Sequence, residues 1–79
     1  MLMVYTKADC PGCHQVKRTL NYLRISFEER RVDETPTLLD HVRTLGFRSL
    51  PVVELAGVGA VLGTDAPRLE QLLHRGNLV

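Results

Sequence analysis

Two cysteines, Cys10 and Cys13, stand two residues apart in the stretch Cys10-Pro11-Gly12-Cys13. A dithiol with this spacing, placed where a strand turns into a helix, is typical of proteins whose thiols cycle with a disulfide. Exchange requires one thiolate that attacks a target disulfide and a second thiol that resolves the mixed disulfide. The spacing therefore predicts redox chemistry at these two sulfurs.

The position of each cysteine predicts its role. Pro11 suits the first position of a helix, so Cys10 precedes the first turn, where unpaired N–H groups and the helix dipole stabilise a thiolate. We expect Cys10 to be the exposed, acidic nucleophile and Cys13 to be the more buried resolving thiol. Lys7 would lower the pKa of Cys10 further, and Asp9 would oppose that effect.

Four short runs with strand character are predicted to form a sheet. They cover residues 2–6, 25–32, 51–55 and 60–62, with a hairpin turn at 56–59. The first three are separated by helical segments, so the first two strands are expected to be parallel with a right-handed crossover. The last two are expected to be antiparallel.

Three segments repeat their apolar residues at helical spacing. The expected starting residues are Pro11, then Thr35-Pro36, then Thr64 or Asp65, and the expected stops include Gly46 and Gly76. The predicted buried faces are, in chain order, Cys13, Val16, Leu20 and Leu23; Leu38, Val42 and Leu45; and Ala66, Leu69, Leu72 and Leu73. The predicted order is β-α-β-α-β-β-α, an α/β fold.

The bulk composition is that of an ordinary globular chain. Its 79 residues predict one domain, residues 1–79, and its net charge of +1 gives no reason to expect a nucleic-acid or membrane partner. The apolar run at the N-terminus is too short for a secretory signal or a membrane span. We therefore expect a cytoplasmic protein. In that reducing compartment, paired thiols more often do chemistry or bind metal than form structural disulfides.

Several motifs, taken in order, resemble those of a known family. They are Val4-Tyr5-Thr6-Lys7, the Cys10–Cys13 stretch, Ser49-Leu50-Pro51-Val52-Val53 and Gly63-Thr64-Asp65. Together they resemble a glutaredoxin of the thioredoxin fold. The stretch Thr44-Leu45-Gly46-Phe47 leading into Pro51 is more specifically similar to the NrdH-redoxins, small glutaredoxin-like electron donors to ribonucleotide reductase.

The resemblance implies a four-stranded mixed sheet flanked by three helices. It also implies a cis Pro51 beside the dithiol and a Leu50 backbone that pairs with an extended substrate. Lys7 and the turn Gly63-Thr64-Asp65 match positions that hold the carboxylates of glutathione. At this helix N-terminus, the main-chain amides of Thr64 and Asp65 are expected to bind such an anion. Pro11 and Gly12, which stiffen the turn and leave it uncovered, complete the expected substrate-binding residues.

The resemblance implies no bound cofactor and leaves the external reductant open between glutathione and thioredoxin reductase with NADPH. Leu62 replaces a glycine that glutaredoxins commonly carry, and Phe47 replaces a glutathione-contacting glutamine. The Trp-Ser-Gly-Phe-Arg-Pro segment typical of NrdH-redoxins is absent. The expected partners are proteins that contain disulfides, one of these two reductants and, as the similarity to NrdH-redoxins implies, ribonucleotide reductase. The protein itself is expected to be a monomer.

Other interpretations of the cysteines stay open. Cys10 to His14 also spells the c-type haem attachment pattern. Zinc could be held by both cysteines and two of the three histidines, His14, His41 and His74. His14 could instead be a catalytic base, and the dithiol could be redox-inert in an interaction protein of the same fold.

The remaining candidates concern the surroundings of the dithiol. Tyr5 and Phe47 either line the site or belong to the core, and Arg48, Lys17 and Arg18 either form a positive rim or are scattered surface cations. The run 28–31 is interpreted as a solvated strand edge. Asp33 and Glu34 are interpreted as loop charges without a role.

Overall fold

The computed structural model describes residues 1–79 and contains four strands and three helices. In chain order these are β1 (Leu2–Thr6), α1 (Pro11–Tyr22), β2 (Phe27–Arg31), α2 (Pro36–Thr44), β3 (Val52–Leu55), β4 (Gly59–Leu62) and α3 (Ala66–Arg75). The strands form one sheet in the order β2-β1-β3-β4. β1 is parallel to β2 and antiparallel to β3, and β3 and β4 form the antiparallel hairpin. The predicted order of elements and the mixed sheet are confirmed.

The sheet carries a hydrophobic cluster on each face. Adjacent residues of a strand point to opposite faces, so Val4 and Tyr5 of β1 belong to different clusters. The Val4 cluster packs β1 and β3 against α1 and α3, and the Tyr5 cluster packs them against α2. β1 is therefore held from both sides, which fixes the loop that leads from its end to Cys10.

The end of α1 differs from the prediction. Arg24 adopts a left-handed backbone (φ 58°) after the helix, and the Ile25 N–H donates to the carbonyl of Leu20 at 2.9 Å. This six-residue closure caps the helix without the glycine that usually marks it. Because the Ile25 N–H is committed there, β2 begins at Phe27 rather than residue 25, and Leu23 is 42% exposed instead of buried.

Smaller differences affect the other boundaries. β3 begins at Val52, one residue later than predicted, and β4 begins at Gly59 after a turn in which Gly57 has φ 78°. At the start of α3, Asp65 is the cap, while Ala66, predicted to be buried, is exposed because the first turn faces solvent. Gly46 follows α2 with φ 94°, as its predicted role as a stop requires. None of the helices is long and apolar enough to span a membrane.

Candidate active site

A disulfide joins Cys10 and Cys13 across the first turn of α1, with their Cα atoms 5.2 Å apart. Cys10 has an extended backbone and is the N-cap of the helix, with Pro11 as the first helical residue. The Cys13 N–H donates to Cys10 Sγ at 3.2 Å. The same amide, at the positive end of the helix dipole, can stabilise a thiolate on Cys10.

Both cysteines are buried in this oxidised state. The exposed fraction is 6% for Cys10 and 2% for Cys13. The expectation of an exposed Cys10 is therefore wrong here, because its sulfur is bonded to that of Cys13 and turned toward the Cys13 amide. The predicted order, with Cys13 the more buried of the two, is confirmed.

Pro51 lies against the turn that carries the disulfide. Its peptide bond with Leu50 is cis, as predicted, and its side chain is fully buried. A Cβ added to Gly12 would lie 3.3 Å from Pro51 Cδ, and one added to Gly63 would lie 2.9 Å from Pro51 Cγ. The Gly63 N–H also donates to the Pro51 carbonyl at 2.9 Å. The proline ring is thus packed closely between the two glycines, and the space for a side chain is smaller at Gly63 than at Gly12.

The segment before Pro51 has free backbone groups. The main-chain N–H and C=O groups of residues 48–50 have no hydrogen-bond partner within the chain. Leu50 is half-buried and lines a groove beside the site. Its backbone can therefore accept an extended peptide as an added strand.

This groove, called the cationic groove below, has a volume of about 1080 Å³. Its charged lining residues are Lys7, Asp33, Arg43 and Arg48, and Phe47 and Leu50 belong to its apolar wall. Phe47 thus lines the surroundings of the site, one of its two predicted alternatives. Lys7 reaches the groove from the loop between β1 and Cys10.

The other predicted binding turn, Gly63-Thr64-Asp65, lies on the opposite side of Pro51. Gly63 and Thr64 line a separate groove of about 420 Å³ between α1 and α3. The structure therefore does not place Lys7 and Thr64 in one cavity.

The expected pair of anion-binding amides at this turn is also incomplete. The Asp65 N–H donates to the Leu62 carbonyl at 3.1 Å, and the Asp65 carboxylate accepts from the Arg68 N–H at 3.3 Å. Only the Thr64 N–H is unpartnered. The prediction that both amides are available is wrong, because one of them closes the turn that leads into α3.

Asp33 has a structural role that the sequence interpretation missed. Its Oδ2 accepts a hydrogen bond from the Ala8 N–H at 3.2 Å, and both of its oxygens are bound by the Arg31 guanidinium at 2.7–2.8 Å. The Arg31 pair holds the pKa of Asp33 well below its usual range, with a further contribution from Ala8. The Arg31–Asp33 pair could have been found from its spacing, because the side chains of residues i and i+2 in a strand point to the same face of the sheet.

Tyr5 belongs to the core rather than the site wall. It is completely buried, and its hydroxyl donates to Glu54 Oε1 at 2.7 Å. Burial and this hydrogen bond raise the pKa of Tyr5 to about 12. His41 Nε2 lies 2.9 Å from the same Glu54 oxygen. Burial of Glu54 opposes ionisation, but the bonds from His41 and Tyr5 hold its pKa below the usual value.

The structure does not bring together the residues of the zinc alternative. His41 contacts Glu54 on the α2 side of the sheet, while His74 lies on α3 beside Glu70, at 3.6 Å. His14 is exposed on α1. No group of three or more histidine, cysteine, aspartate or glutamate side chains is arranged to hold a metal ion.

The three cations predicted as a positive rim, Lys17, Arg18 and Arg48, do not lie together around the site. Lys17 donates to Glu29 Oε2 at 2.9 Å, and the buried Thr6 hydroxyl donates to the same oxygen at 2.7 Å. These bonds, Thr6 first, lower the pKa of Glu29. β2 is an edge strand, as its charged run predicted, but Glu29 connects it to β1 and α1 rather than facing solvent alone. Of the three predicted rim cations, only Arg48 lines the cationic groove.

Comparison with known proteins identifies close similarity over most of the chain. Residues 2–59 match the glutaredoxin family model. The glutaredoxin-like protein NrdH of Lactococcus lactis is 40% identical over 53 residues, which are 67% of this chain and 74% of that protein. The crystal structure of a thioredoxin-like protein superposes with a TM-score of 0.81 at 31% identity, over 92% of this chain and 100% of the other. The glutaredoxin-like NrdH-redoxin of Escherichia coli, which has a thioredoxin-like activity profile, superposes with a TM-score of 0.79 at 35% identity, over 90% and 92% of the two chains.

Proposed function

The chain belongs to the glutaredoxin family of thiol–disulfide oxidoreductases, and we propose that it is a dithiol reductase of protein disulfides in which Cys10 attacks and Cys13 resolves. The observation that carries these roles is the disulfide at the start of α1, where the Cys13 N–H donates to Cys10 Sγ at 3.2 Å. The sulfur that receives this bond at the positive end of the helix is the one whose thiolate is stabilised.

The reaction proceeds by two exchanges. In the reduced protein, the Cys10 thiolate attacks one sulfur of the target disulfide, and the other target sulfur leaves as a thiolate. The Cys13 thiol, after losing its proton, attacks Cys10 Sγ in the mixed disulfide and releases the second target thiolate. The target gains two electrons and two protons, and the protein is left with the Cys10–Cys13 disulfide seen in the structure.

Alignment of the target is the role of the segment before Pro51. The free backbone groups of Leu50 pair with an extended stretch of the target, and Pro51 keeps this stretch next to the turn containing Gly12. Pro11 is exposed and Gly12 has no side chain, so the approach to the sulfurs is open on this side once the disulfide is reduced.

The reductant that we propose is thioredoxin reductase with NADPH, in preference to glutathione. Two observations favour it: the Asp65 N–H is already bonded to Leu62, and Lys7 lies in a different groove from Thr64. Both weaken the anion sites that glutathione would use. The thioredoxin-like activity profile of the E. coli relative agrees with this choice. Ribonucleotide reductase, in the cytoplasm, is the proposed acceptor, on the basis of the NrdH relatives.

Two cysteine variants test the assigned roles. With insulin as a protein disulfide substrate, Cys10→Ser should abolish turnover, whereas Cys13→Ser should accumulate a covalent adduct visible by mass spectrometry of the intact protein. Turnover retained by Cys10→Ser would contradict the assignment of the nucleophile. An adduct formed through Cys13 in that variant would reverse the two roles.

A parallel assay tests the reductant. The oxidised protein is offered either thioredoxin reductase or glutathione with its reductase, each with NADPH, and the oxidation of NADPH is followed. We expect rapid turnover with thioredoxin reductase and slow turnover with glutathione. The opposite result would overturn the choice of reductant without affecting the roles of the cysteines.

A further inference from the structure

The charges of the cationic groove are unbalanced. Lys7, Arg43 and Arg48 line it, and none of the three forms an ion pair within the chain. The only carboxylate in the lining is that of Asp33. It accepts hydrogen bonds from Nε and Nη2 of the Arg31 guanidinium at 2.7–2.8 Å. Since that carboxylate is already neutralised, the groove presents a local excess of positive charge although the whole chain carries only +1.

The groove is also apolar along one wall. Leu39 of α2 and Phe47 and Leu50 of the following segment line it, and all three are half-buried, so part of each side chain faces the open space. An aliphatic or aromatic side chain of a ligand would remove this surface from water. A simple inorganic anion would use the cations but leave this wall uncovered.

The third feature is the direction in which the groove leads. Leu50, whose N–H and C=O are unpartnered, lies at its edge and is bonded to Pro51, which packs against the turn holding Cys10 and Cys13. A chain that pairs with Leu50 as an added strand therefore continues from the disulfide into the cationic groove. Alternate residues of that strand would point toward the cations and the apolar wall.

From these three features we propose that the cationic groove selects target disulfides flanked by an extended acidic segment, and that Arg43 and Arg48 are specificity-determining residues for it. The proposal rests on the disulfide reductase function above and names its substrate class. Glutamate or aspartate side chains of the target meet the cations, and an apolar neighbour covers Leu39 and Phe47. Since the cations are exposed, their main effect is on the rate of association.

Two disulfide peptides of equal length test this proposal. One carries glutamates beside the disulfide and the other carries glutamines at the same positions, and the fully reduced protein is mixed with each in a single turnover. We expect the acidic peptide to react about tenfold faster or more at low ionic strength. The advantage should shrink as salt is raised toward 0.1 M and beyond, where the screening length falls to about 10 Å.

A matched pair of double variants locates the effect. Arg43→Gln with Arg48→Gln should reduce the preference for the acidic peptide to less than about twofold. Arg18→Gln with Arg75→Gln removes the same charge from exposed positions outside the groove and should keep the preference. Loss of the preference in both double variants would assign it to net charge and overturn the proposal.

A neutral disulfide substrate distinguishes failure of the proposed selectivity from failure of the disulfide reductase function on which it rests. If the wild-type protein does not reduce 2-hydroxyethyl disulfide or either peptide, the reductase function itself fails. If it reduces all of them and treats the acidic and amide peptides equally, only the inference about the cationic groove is overturned.

Discussion

The Ala8 N–H donates a hydrogen bond to Asp33 Oδ2 at 3.2 Å, across 25 residues of sequence. Ala8 lies in the loop between β1 and Cys10, and Asp33 follows β2, the edge strand. Because Arg31 holds the Asp33 carboxylate through two further bonds, the acceptor has little freedom to move. Asp33 is therefore a positioning residue for the loop that presents Cys10.

Removal of this acceptor should loosen the loop. We expect Asp33→Ala to raise the hydrogen-exchange rate of the Ala8 amide by roughly tenfold and to lower kcat/KM for disulfide reduction several-fold. Glu34→Ala is the matched control, since Glu34 approaches Arg31 at 3.6 Å but does not contact the loop. If the Ala8 amide exchanged at the same rate in both variants, Asp33 would not be a positioning residue for this loop.

The pH dependence of this hydrogen bond follows from the depressed pKa of Asp33. A carboxyl group whose pKa is lowered by folding contributes stability above its unfolded value of about 3.9, and loses it only as pH falls through the lower folded value. The protection factor of the Ala8 amide should therefore be unchanged between neutral pH and about pH 4. A decline within that range would show that Asp33 titrates normally.

Glu29 should matter for stability in spite of its place on an edge strand. In Glu29→Ala, the buried Thr6 hydroxyl loses its acceptor and Lys17 loses its partner, which should cost about 1–2 kcal/mol in urea unfolding at pH 7. Since folding lowers the pKa of Glu29, its contribution is present above the unfolded value of about 4.3 and declines as pH falls below it. The two unfolding curves should therefore converge toward pH 3. Glu28→Ala, which removes only an exposed pair with Arg30, should change stability by less than about 0.5 kcal/mol.

The order of elements was predictable because its signals are local. Pro11 and Pro36 begin helices, Gly46 ends one, and the apolar spacing between them identifies the buried faces. The position of the dithiol at a strand-to-helix turn needs only this information. The site cysteines could therefore be assigned without any tertiary contact.

The features that the sequence did not predict depend on particular bonds that local sequence patterns do not specify. The Asp33 contact spans 25 residues, and the end of α1 uses Arg24 where glycine is the usual residue. Cys10 is buried with its sulfur in the disulfide, and no sequence records whether two cysteines are joined. The availability of the Asp65 amide depended on whether the turn before α3 would use it internally, and the structure shows that it does.

Tyr5 gives the protein a predictable sensitivity to alkali. Its pKa rises from 10.0 to about 12 on folding, so the stability it provides is complete below pH 10 and is lost as pH rises toward 12. Tyr5→Phe removes the bond to Glu54 and should cost about 1–2 kcal/mol at pH 7. The difference from the wild type should diminish above pH 10, as followed by urea unfolding at several pH values. Tyr22→Phe, at a side chain that is 86% exposed, should leave the curve unchanged; a constant Tyr5→Phe difference up to pH 12 would contradict this account.

The two glycines around Pro51 should respond differently to alanine. At buried Gly63 the new methyl group would lie 2.9 Å from Pro51 Cγ and 3.0 Å from Val16 Cγ2, both in the packed interior, so Gly63→Ala should cost about 1–3 kcal/mol. At Gly12 the nearest atom, at 2.9 Å, is the Cγ2 methyl of the exposed Thr64. Gly12→Ala should therefore cost less in chemical unfolding, and Thr64→Ser, which removes that methyl group, should restore most of the loss. Equal costs at the two positions, or no rescue by Thr64→Ser, would contradict the assignment of the Gly12 clash to the Thr64 methyl group.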